Sequence, residues 1–76
     1  MEVQLRALNG QIFKIPIEPD DTIKNLKRKI EEMEGIPMGQ LDLQFEGTLL
    51  DDSKTLNDYQ IRNDYTVDFM VNLKGG

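Results

Sequence analysis

The chain contains neither cysteine nor histidine. Without cysteine it can form no disulfide and no thiolate metal site, and it lacks a strong nucleophile for covalent catalysis. Without histidine it lacks the side chain that most often moves protons near neutral pH. We therefore expect a protein that is not an enzyme and that holds no cofactor and no metal ion.

Basic residues are also scarce, with 9 Lys and Arg against 14 Asp and Glu and a net charge of −5. Nucleic acid and anionic membranes both attract basic surfaces, so this balance argues against either partner. No apolar run approaches the roughly 20 residues that span a bilayer, and Met1–Gln4 does not resemble a signal peptide. We expect a soluble protein of the cytoplasm and nucleus that binds neither nucleic acid nor membrane.

The 76 residues suffice for one small domain, and they contain no internal repeat or linker-like segment. We expect a monomer. Two stretches near the start have apolar side chains at every second position, which predicts two strands with one buried face: Val3, Leu5 and Ala7, then Phe13, Ile15 and Ile17. Asn9-Gly10 between them predicts a type I′ hairpin turn. Pro16 cannot donate to a ladder, so the second strand should lie at a sheet edge.

A helix is predicted after Thr22, which is a suitable N-cap, and before Gly35, which is a suitable C′ residue. The residues spaced for its apolar face are Ile23, Leu26, Ile30 and Met33. Those expected mostly in water are Lys24, Lys27, Arg28, Glu31 and Glu32. Lys27 with Glu31 and Arg28 with Glu32 have the spacing of helical ion pairs.

The second half of the chain predicts short strands separated by turns. Alternation over 41–45 leads into a turn at Glu46-Gly47 and a short strand over 48–50, and 55–59 has the pattern of one capped helical turn. Asn63-Asp64 then turns the chain into a final strand. The side chains of that strand expected on one side are Val67, Phe69, Val71 and Leu73. If the first and last strands pair in the middle of the sheet, the helix can lie across its apolar face, which is an α+β architecture.

The last residues, Leu73-Lys74-Gly75-Gly76, differ in character from the rest. Glycine has no Cβ, so a Gly-Gly segment can pass through a channel that any side chain would block. Such a segment suits an end that other proteins handle. A frayed terminus or an artificial boundary remains open as an ordinary explanation.

The chain resembles the ubiquitin family from end to end without a gap. The residues that carry the resemblance fall in clusters around the helix, the middle strands, the short helical turn and the tail: Glu18-Pro19, Asp21-Thr22-Ile23, Asn25, Lys27, Lys29, Ile30, Glu34-Gly35-Ile36-Pro37, Leu43, Phe45, Gly47, Leu50, Thr55-Leu56, Asp58-Tyr59, Ile61 and Gly75-Gly76. So many positions in one register are specific for the family.

The resemblance implies a β-grasp fold, with a mixed sheet of four to five strands, one main helix packed across it and one short helical turn. It implies a ubiquitin-like domain over 1–72 and a flexible conjugation tail over 73–76. It further implies a protein modifier whose Gly76 carboxylate, next to Gly75, is activated and joined to target amines. The partners would be activating, conjugating and deconjugating enzymes and the protein targets. The residues that would meet those enzymes are Asp42, Asn72, Leu73 and Lys74.

The resemblance also places a partner-binding surface on the outer face of the sheet, at Leu8, Gln44, Gly47, Asp68 and Met70. Gln44 and Asp68 depart from the family pattern, which has isoleucine and histidine there. Since an aliphatic contact is lost and an amide must be buried, ordinary ubiquitin receptors should bind at least about tenfold more weakly. A solvated face without a partner explains these two residues as well as a dedicated, more basic partner does.

Two further departures from the family pattern concern the activating enzyme and the linkage of copies into polymers. Asp42 and Asn72 stand where ubiquitin has arginines, so we expect the ubiquitin-activating enzyme to handle this chain poorly. Lys27 and Lys29 are the linkage positions shared with ubiquitin, because the others hold residues without a lysine amine: Arg6, Gln11, Met33, Thr48 and Asn63. We favour the explanation of both lysines as solubilising surface charges.

Other functions remain open. The chain can instead be a docking domain of a larger protein that binds partners through the sheet face without conjugation. A sulfur carrier shares the fold and the Gly-Gly end, and a selected variant of ubiquitin would show similar changes outside the core. The sequence identifies neither the activating enzyme nor the targets.

Overall fold

The computed structural model describes residues 1–73. Its strands are β1 Glu2–Arg6, β2 Ile12–Pro16, β3 Leu41–Phe45, β4 Thr48–Leu49 and β5 Thr66–Val71. The helix α1 spans Ile23–Glu34, and single 3₁₀ turns span Met38–Gln40 and Asn57–Tyr59. The five strands form one mixed sheet in the order β2-β1-β5-β3-β4, with β1 and β5 parallel in the middle. This is the β-grasp architecture that the sequence predicts, and β2, with Pro16, lies at an edge as expected.

The helix begins and ends where its capping residues indicate. The Thr22 hydroxyl accepts a hydrogen bond from the Asn25 amide at 3.1 Å. Gly35 adopts the left-handed conformation, with φ 72°, and its amide donates to the Glu31 carbonyl. Hydrogen bonds therefore cap both ends of α1. The helix buries Ile23, Leu26 and Ile30 against the sheet.

The inward face of α1 differs from the prediction at two positions. Lys27 is buried, with 8% of its surface exposed, whereas Met33 is 50% exposed. Ile23, Lys27 and Ile30 lie on one helical face, so the aliphatic stem of Lys27 packs inward while its ammonium reaches outward. Met33 belongs to the last turn of the helix, which exposes half of this side chain.

The two ion pairs predicted along the helix are not formed. Lys27 Nζ pairs with Asp52 Oδ1 at 2.7 Å, and Arg28 Nη1 donates to Asn25 Oδ1 at 3.1 Å. Glu31 instead accepts a hydrogen bond from the Met38 amide at 2.9 Å. Contacts with the segments that follow the helix thus replace the pair of Lys27 and Glu31, whereas Arg28 bonds to Asn25 in the same helix.

The type I′ turn occurs at a different hairpin from the one predicted. Neither Leu8 nor Asn9 has a positive φ, and only Gly10 of that turn does, at 88°. The Gly10 amide donates to the Ala7 carbonyl and the Ala7 amide to the Gln11 carbonyl, the pattern of a wider turn that ends in a left-handed residue. The β3–β4 turn has both central residues left-handed, with φ 52° at Glu46 and 81° at Gly47.

Glu46 therefore occupies a position that asparagine suits better. Left-handed backbone costs most side chains about 1–2 kcal/mol, and Asn-Gly is the favoured pair of a type I′ turn. We expect Glu46→Asn to raise the free energy of unfolding by about 1 kcal/mol, measured by urea denaturation. Gly47→Ala is the matched opposite and should lower it. A midpoint that falls in Glu46→Asn would contradict this assignment of the turn.

The second 3₁₀ turn is closed by a reciprocal pair of hydrogen bonds. The Asp58 carboxylate accepts from the Thr55 amide at 2.9 Å, and the Thr55 hydroxyl accepts from the Asp58 amide at 3.0 Å. Backbone bonds also tie this segment to the start of α1, including Ile23 N to Lys54 O at 2.8 Å. The capped turn expected over 55–59 is confirmed, and it buries Leu56 in the core.

This arrangement gives stability a defined pH dependence. The hydrogen bond from the Thr55 amide, followed by that with its hydroxyl, holds the pKa of Asp58 below its ordinary value of 3.8. Since the folded pKa is depressed, the contribution is complete above the ordinary pKa and is lost as pH falls through the folded pKa. Asp58→Asn should therefore reduce the loss of stability between pH 5 and pH 2, measured by urea denaturation. An equal loss in this variant and in the unaltered chain would contradict the role of the Asp58 carboxylate.

The final strand extends beyond the core. Val67 and Phe69 are buried, but Val71 is 43% and Leu73 87% exposed, so this side of the chain starts in the core and ends in solvent. At this end β5 pairs with β3 alone, through Leu41 and Val71. The chain thus leaves the globule with apolar side chains in water.

No helix among residues 1–73 is long and apolar enough to cross a membrane.

Candidate partner-binding face and tail

The outer face of the sheet carries a continuous row of paired residues, one from each strand. Strand registers place it in the order Ile12, Arg6, Asp68, Gln44 and Leu49. Directly paired residues point to the same side of a sheet, so the row faces away from α1. Its two ends are apolar and accessible, with Ile12 50% and Leu49 60% exposed, whereas its centre is polar.

The centre of the row is an ion pair within the chain. Arg6 Nε donates to Asp68 Oδ1 at 2.7 Å and Arg6 Nη2 to Asp68 Oδ2 at 3.3 Å. The hydrogen bond with Asp68 and then its charge raise the pKa of Arg6, so the guanidinium keeps its charge. A partner at this face must therefore accommodate two fixed opposite charges rather than a lone carboxylate.

Four of the five residues predicted for the partner surface come together. Gln44 pairs with Asp68, and Met70 follows two positions later on the same side of β5. Leu8, 84% exposed in the β1–β2 turn, lines a shallow groove with Met70. Gly47 lies at the β3–β4 turn, beyond the end of the row at Leu49. The structure thus unites Leu8, Gln44, Asp68 and Met70 and leaves Gly47 at the margin.

The residues predicted to meet activating enzymes lie at the end of this face where β3 begins and β5 ends. Asp42 pairs with Met70, and the Asn72 amide donates to the Gln40 carbonyl, which continues the β3–β5 register past the strand. Both side chains therefore belong to the outer face and are half-buried. Leu73 follows in the exposed exit segment, while Lys74, Gly75 and Gly76 lie outside the described residues.

The two lysines shared with ubiquitin as linkage positions are both engaged. Lys27 Nζ is held by Asp52 at 2.7 Å, on a side chain only 11% exposed. Lys29 Nζ donates to the Pro16 carbonyl at 3.1 Å. An amine must be free and unprotonated to attack a thioester, so these contacts oppose reaction at either position. Their use in chains remains a prediction.

Several residues of this face were not identified from the sequence. Arg6 was not, although its outward position in β1 and the parallel pairing of β1 with β5 place it beside Asp68. Ile12 and Leu49 were also missed, because each precedes another apolar residue and the sequence does not show which of the two is exposed. Among residues 1–73 no cluster of acidic side chains could hold a metal ion.

Comparison with known proteins agrees with this geometry. The model of the ubiquitin family matches residues 3–74. The chain is 34% identical over 76 residues to ubiquitin-like protein NEDD8 of Dictyostelium discoideum, covering 100% of this chain and 99% of that protein. It is 29% identical over 76 residues to ubiquitin-like protein 1 of Schizosaccharomyces pombe, covering 100% and 97%.

A second kind of relative is much longer than this chain. The human UV excision repair protein RAD23 homolog B is 39% identical over 74 residues, which are 93% of this chain but 18% of that protein. The matches therefore include proteins of the same length and single segments of larger ones. The sheet order, the capped helix and the matched span lead to one conclusion: this chain belongs to the ubiquitin family.

Proposed function

We propose that the chain is a ubiquitin-like protein modifier, joined to target amines through the carboxylate of Gly76. The observation that carries the proposal is the Gly75-Gly76 dipeptide, which follows a strand that extends beyond the core and exposes Val71 and Leu73. The match to ubiquitin-like protein NEDD8, which covers 99% of that protein, supports the proposal.

The chemistry needs little from the folded domain. A carboxylate is a poor electrophile, so its oxygen must first attack the α-phosphate of ATP, forming an acyl-adenylate and releasing pyrophosphate. An enzyme thiol then displaces AMP to give a thioester, and a target amine displaces the thiol to form an amide. The domain supplies the carboxyl carbon and a surface for recognition, while the enzymes supply the thiols and the groups that move protons.

Expression of an N-terminally tagged chain in cells of its source organism tests the proposal. Species of higher mass should form in the cytoplasm and nucleus, survive reducing agents and disappear when Gly76 is deleted. Survival under reduction separates an amide from a thioester. The same species with and without Gly76 would contradict conjugation through this residue.

A docking domain is the second candidate. The match to one segment of a longer protein favours it, as does the polar centre of the outer face. In this case the partner would bind across the face around Gln44, and the tail would stay unmodified. Expression that yields only unconjugated chain, with partners that bind irrespective of Gly76, would establish docking in place of conjugation.

A further inference from the structure

A second groove lies away from the outer-face row, between the β3–β4 turn and the segment that follows the second 3₁₀ turn. It is lined by Phe45, Glu46, Tyr59, Gln60 and Tyr65 and encloses about 410 Å³. That volume is at the small end of ligand sites, suited to one inserted side chain. The groove shares no residue with the surface around Leu8, Gln44, Asp68 and Met70.

Aromatic rings form the walls of this groove. The rings of Phe45 and Tyr65 are stacked, with centroids 5.9 Å apart and planes inclined by 17°. Tyr59 is fixed because its hydroxyl accepts a hydrogen bond from the Asp51 amide at 2.8 Å. Tyr65 remains 44% exposed, and within residues 1–73 no hydrogen bond involves its hydroxyl. The groove therefore presents a preformed aromatic surface to a partner.

The charge of the groove selects a cation. Glu46 is the one ionisable acid that lines it, and within residues 1–73 its carboxylate forms no ion pair. Arg62, the nearest arginine along the chain, is engaged with Asn57 Oδ1 at 3.3 Å. The groove thus combines ring faces with a carboxylate whose charge the described residues leave unpaired, which is the combination that attracts a guanidinium.

The backbone conformation of two lining residues separately indicates a binding site. Glu46 and Gln60 both line the groove and both adopt left-handed backbone, with φ 52° and 58°. Side chains other than glycine, asparagine and aspartate are unfavourable in that conformation, and such residues cluster at binding sites. An asparagine at 46 would relieve the strain but would remove the carboxylate.

We propose that this groove binds an arginine side chain of a partner protein, with the guanidinium stacked on Tyr65 and paired with the Glu46 carboxylate. Arginine is favoured over lysine because a planar guanidinium can stack on a ring while it donates to a carboxylate. This site is independent of conjugation through Gly76, since it uses no residue of the tail or of the outer face.

The test is an NMR titration of the isotope-labelled chain with three capped tripeptides, Gly-Arg-Gly, Gly-Lys-Gly and Gly-citrulline-Gly, at constant ionic strength. Citrulline has the shape of arginine without its charge. We expect saturable shifts at the amides of Glu46, Gln60 and Tyr65, with about 2- to 5-fold tighter binding of the arginine peptide than of the lysine peptide. The citrulline peptide should cause no saturable shift.

Variants distinguish binding at this groove from nonspecific attraction of a cation to an acidic protein. Glu46→Gln and Tyr65→Ala should abolish saturation, whereas Tyr65→Phe, which keeps the ring, should bind like the original chain. Glu32→Gln removes an exposed carboxylate on α1, which does not line the groove, and should change nothing there. Dispersed spectra of each free variant establish that it is folded. Equal shifts with citrulline, linear shifts, or unchanged binding in both Glu46→Gln and Tyr65→Ala would overturn the proposal.

Discussion

The double substitution Asp42→Arg and Asn72→Arg should increase the rate at which ubiquitin-activating enzyme forms a thioester with this chain by about 100-fold or more. The expectation rests on the resemblance, because ubiquitin has arginines at both positions. An enzyme surface that is complementary to those arginines would meet Asp42 as a like charge, at a cost of several kcal/mol, and each 1.4 kcal/mol is tenfold.

The structure explains why both substitutions should act together. The β3–β5 register sets Asp42 opposite Met70 and residue 72 opposite Gln40, so the two side chains are diagonal neighbours on the outer face. Neither contributes to the buried core, so the variant should fold. Single-turnover assays with ATP and purified enzyme give the rate.

A matched control makes the same change of charge elsewhere. Glu34→Arg, at the exposed end of α1, shifts the net charge as Asp42→Arg does but lies outside the outer face, so it should leave the rate unchanged. Asp42→Asn removes the repulsion without adding a cation and should give an intermediate rate. Rapid thioester formation by the unaltered chain would show that Asp42 and Asn72 do not select the enzyme.

The second large effect concerns binding rather than activation. Gln44→Ile should tighten binding of an ordinary ubiquitin receptor domain at least tenfold. A buried aliphatic side chain contributes about 1.5–3 kcal/mol, and an amide buried without a partner costs about 1–3 kcal/mol. Gln44 is the polar residue between Asp68 and Leu49 in the outer-face row, so the substitution would extend the apolar surface from Leu49 toward the centre.

Calorimetric titration of a receptor domain with the variant and the unaltered chain measures this change. Gln4→Ile is the matched control, because Gln4 lies on the same face in the row that pairs it with Lys14 and Thr66. It should change affinity little. The Arg6–Asp68 pair persists in Gln44→Ile, so affinity should remain below that of ubiquitin. Binding unchanged by Gln44→Ile would remove this surface as the contact site.

The sequence pattern was sufficient to predict those structural features that depend only on neighbouring residues. Thr22 and Gly35 act as caps because their geometry involves only the adjacent helical turn. The alternation in β1 and β3 likewise identified Val3, Leu5, Leu41 and Leu43 as core residues, since a strand buries every second side chain. For the same reason the sequence assigned Gln44 and Asp68 to the outer face.

Features that depend on distant segments were missed. Lys27 lies inside because Asp52, in a loop 25 positions later, reaches its ammonium, and helical spacing alone does not reveal such a partner. The Arg6–Asp68 pair requires the parallel register of β1 and β5. The groove at Phe45 and Tyr65 joins residues 20 positions apart, and neither has a pattern that predicts stacking. In the β3–β4 turn, Glu46 adopts a left-handed conformation that the preferences of glutamate do not predict.

The most direct measurement identifies the bond itself. Tagged chain purified from its source cells under denaturing conditions is digested with trypsin, which cleaves after Lys74 and leaves Gly75-Gly76 on any modified lysine. A Lys74→Ala variant should replace this Gly-Gly remnant by a longer one at the same target lysines, which distinguishes this chain from ubiquitin. We predict that both remnants occur on one set of lysines. A gene product that continues uncleaved past Gly76, with no remnant of either kind, would contradict the account.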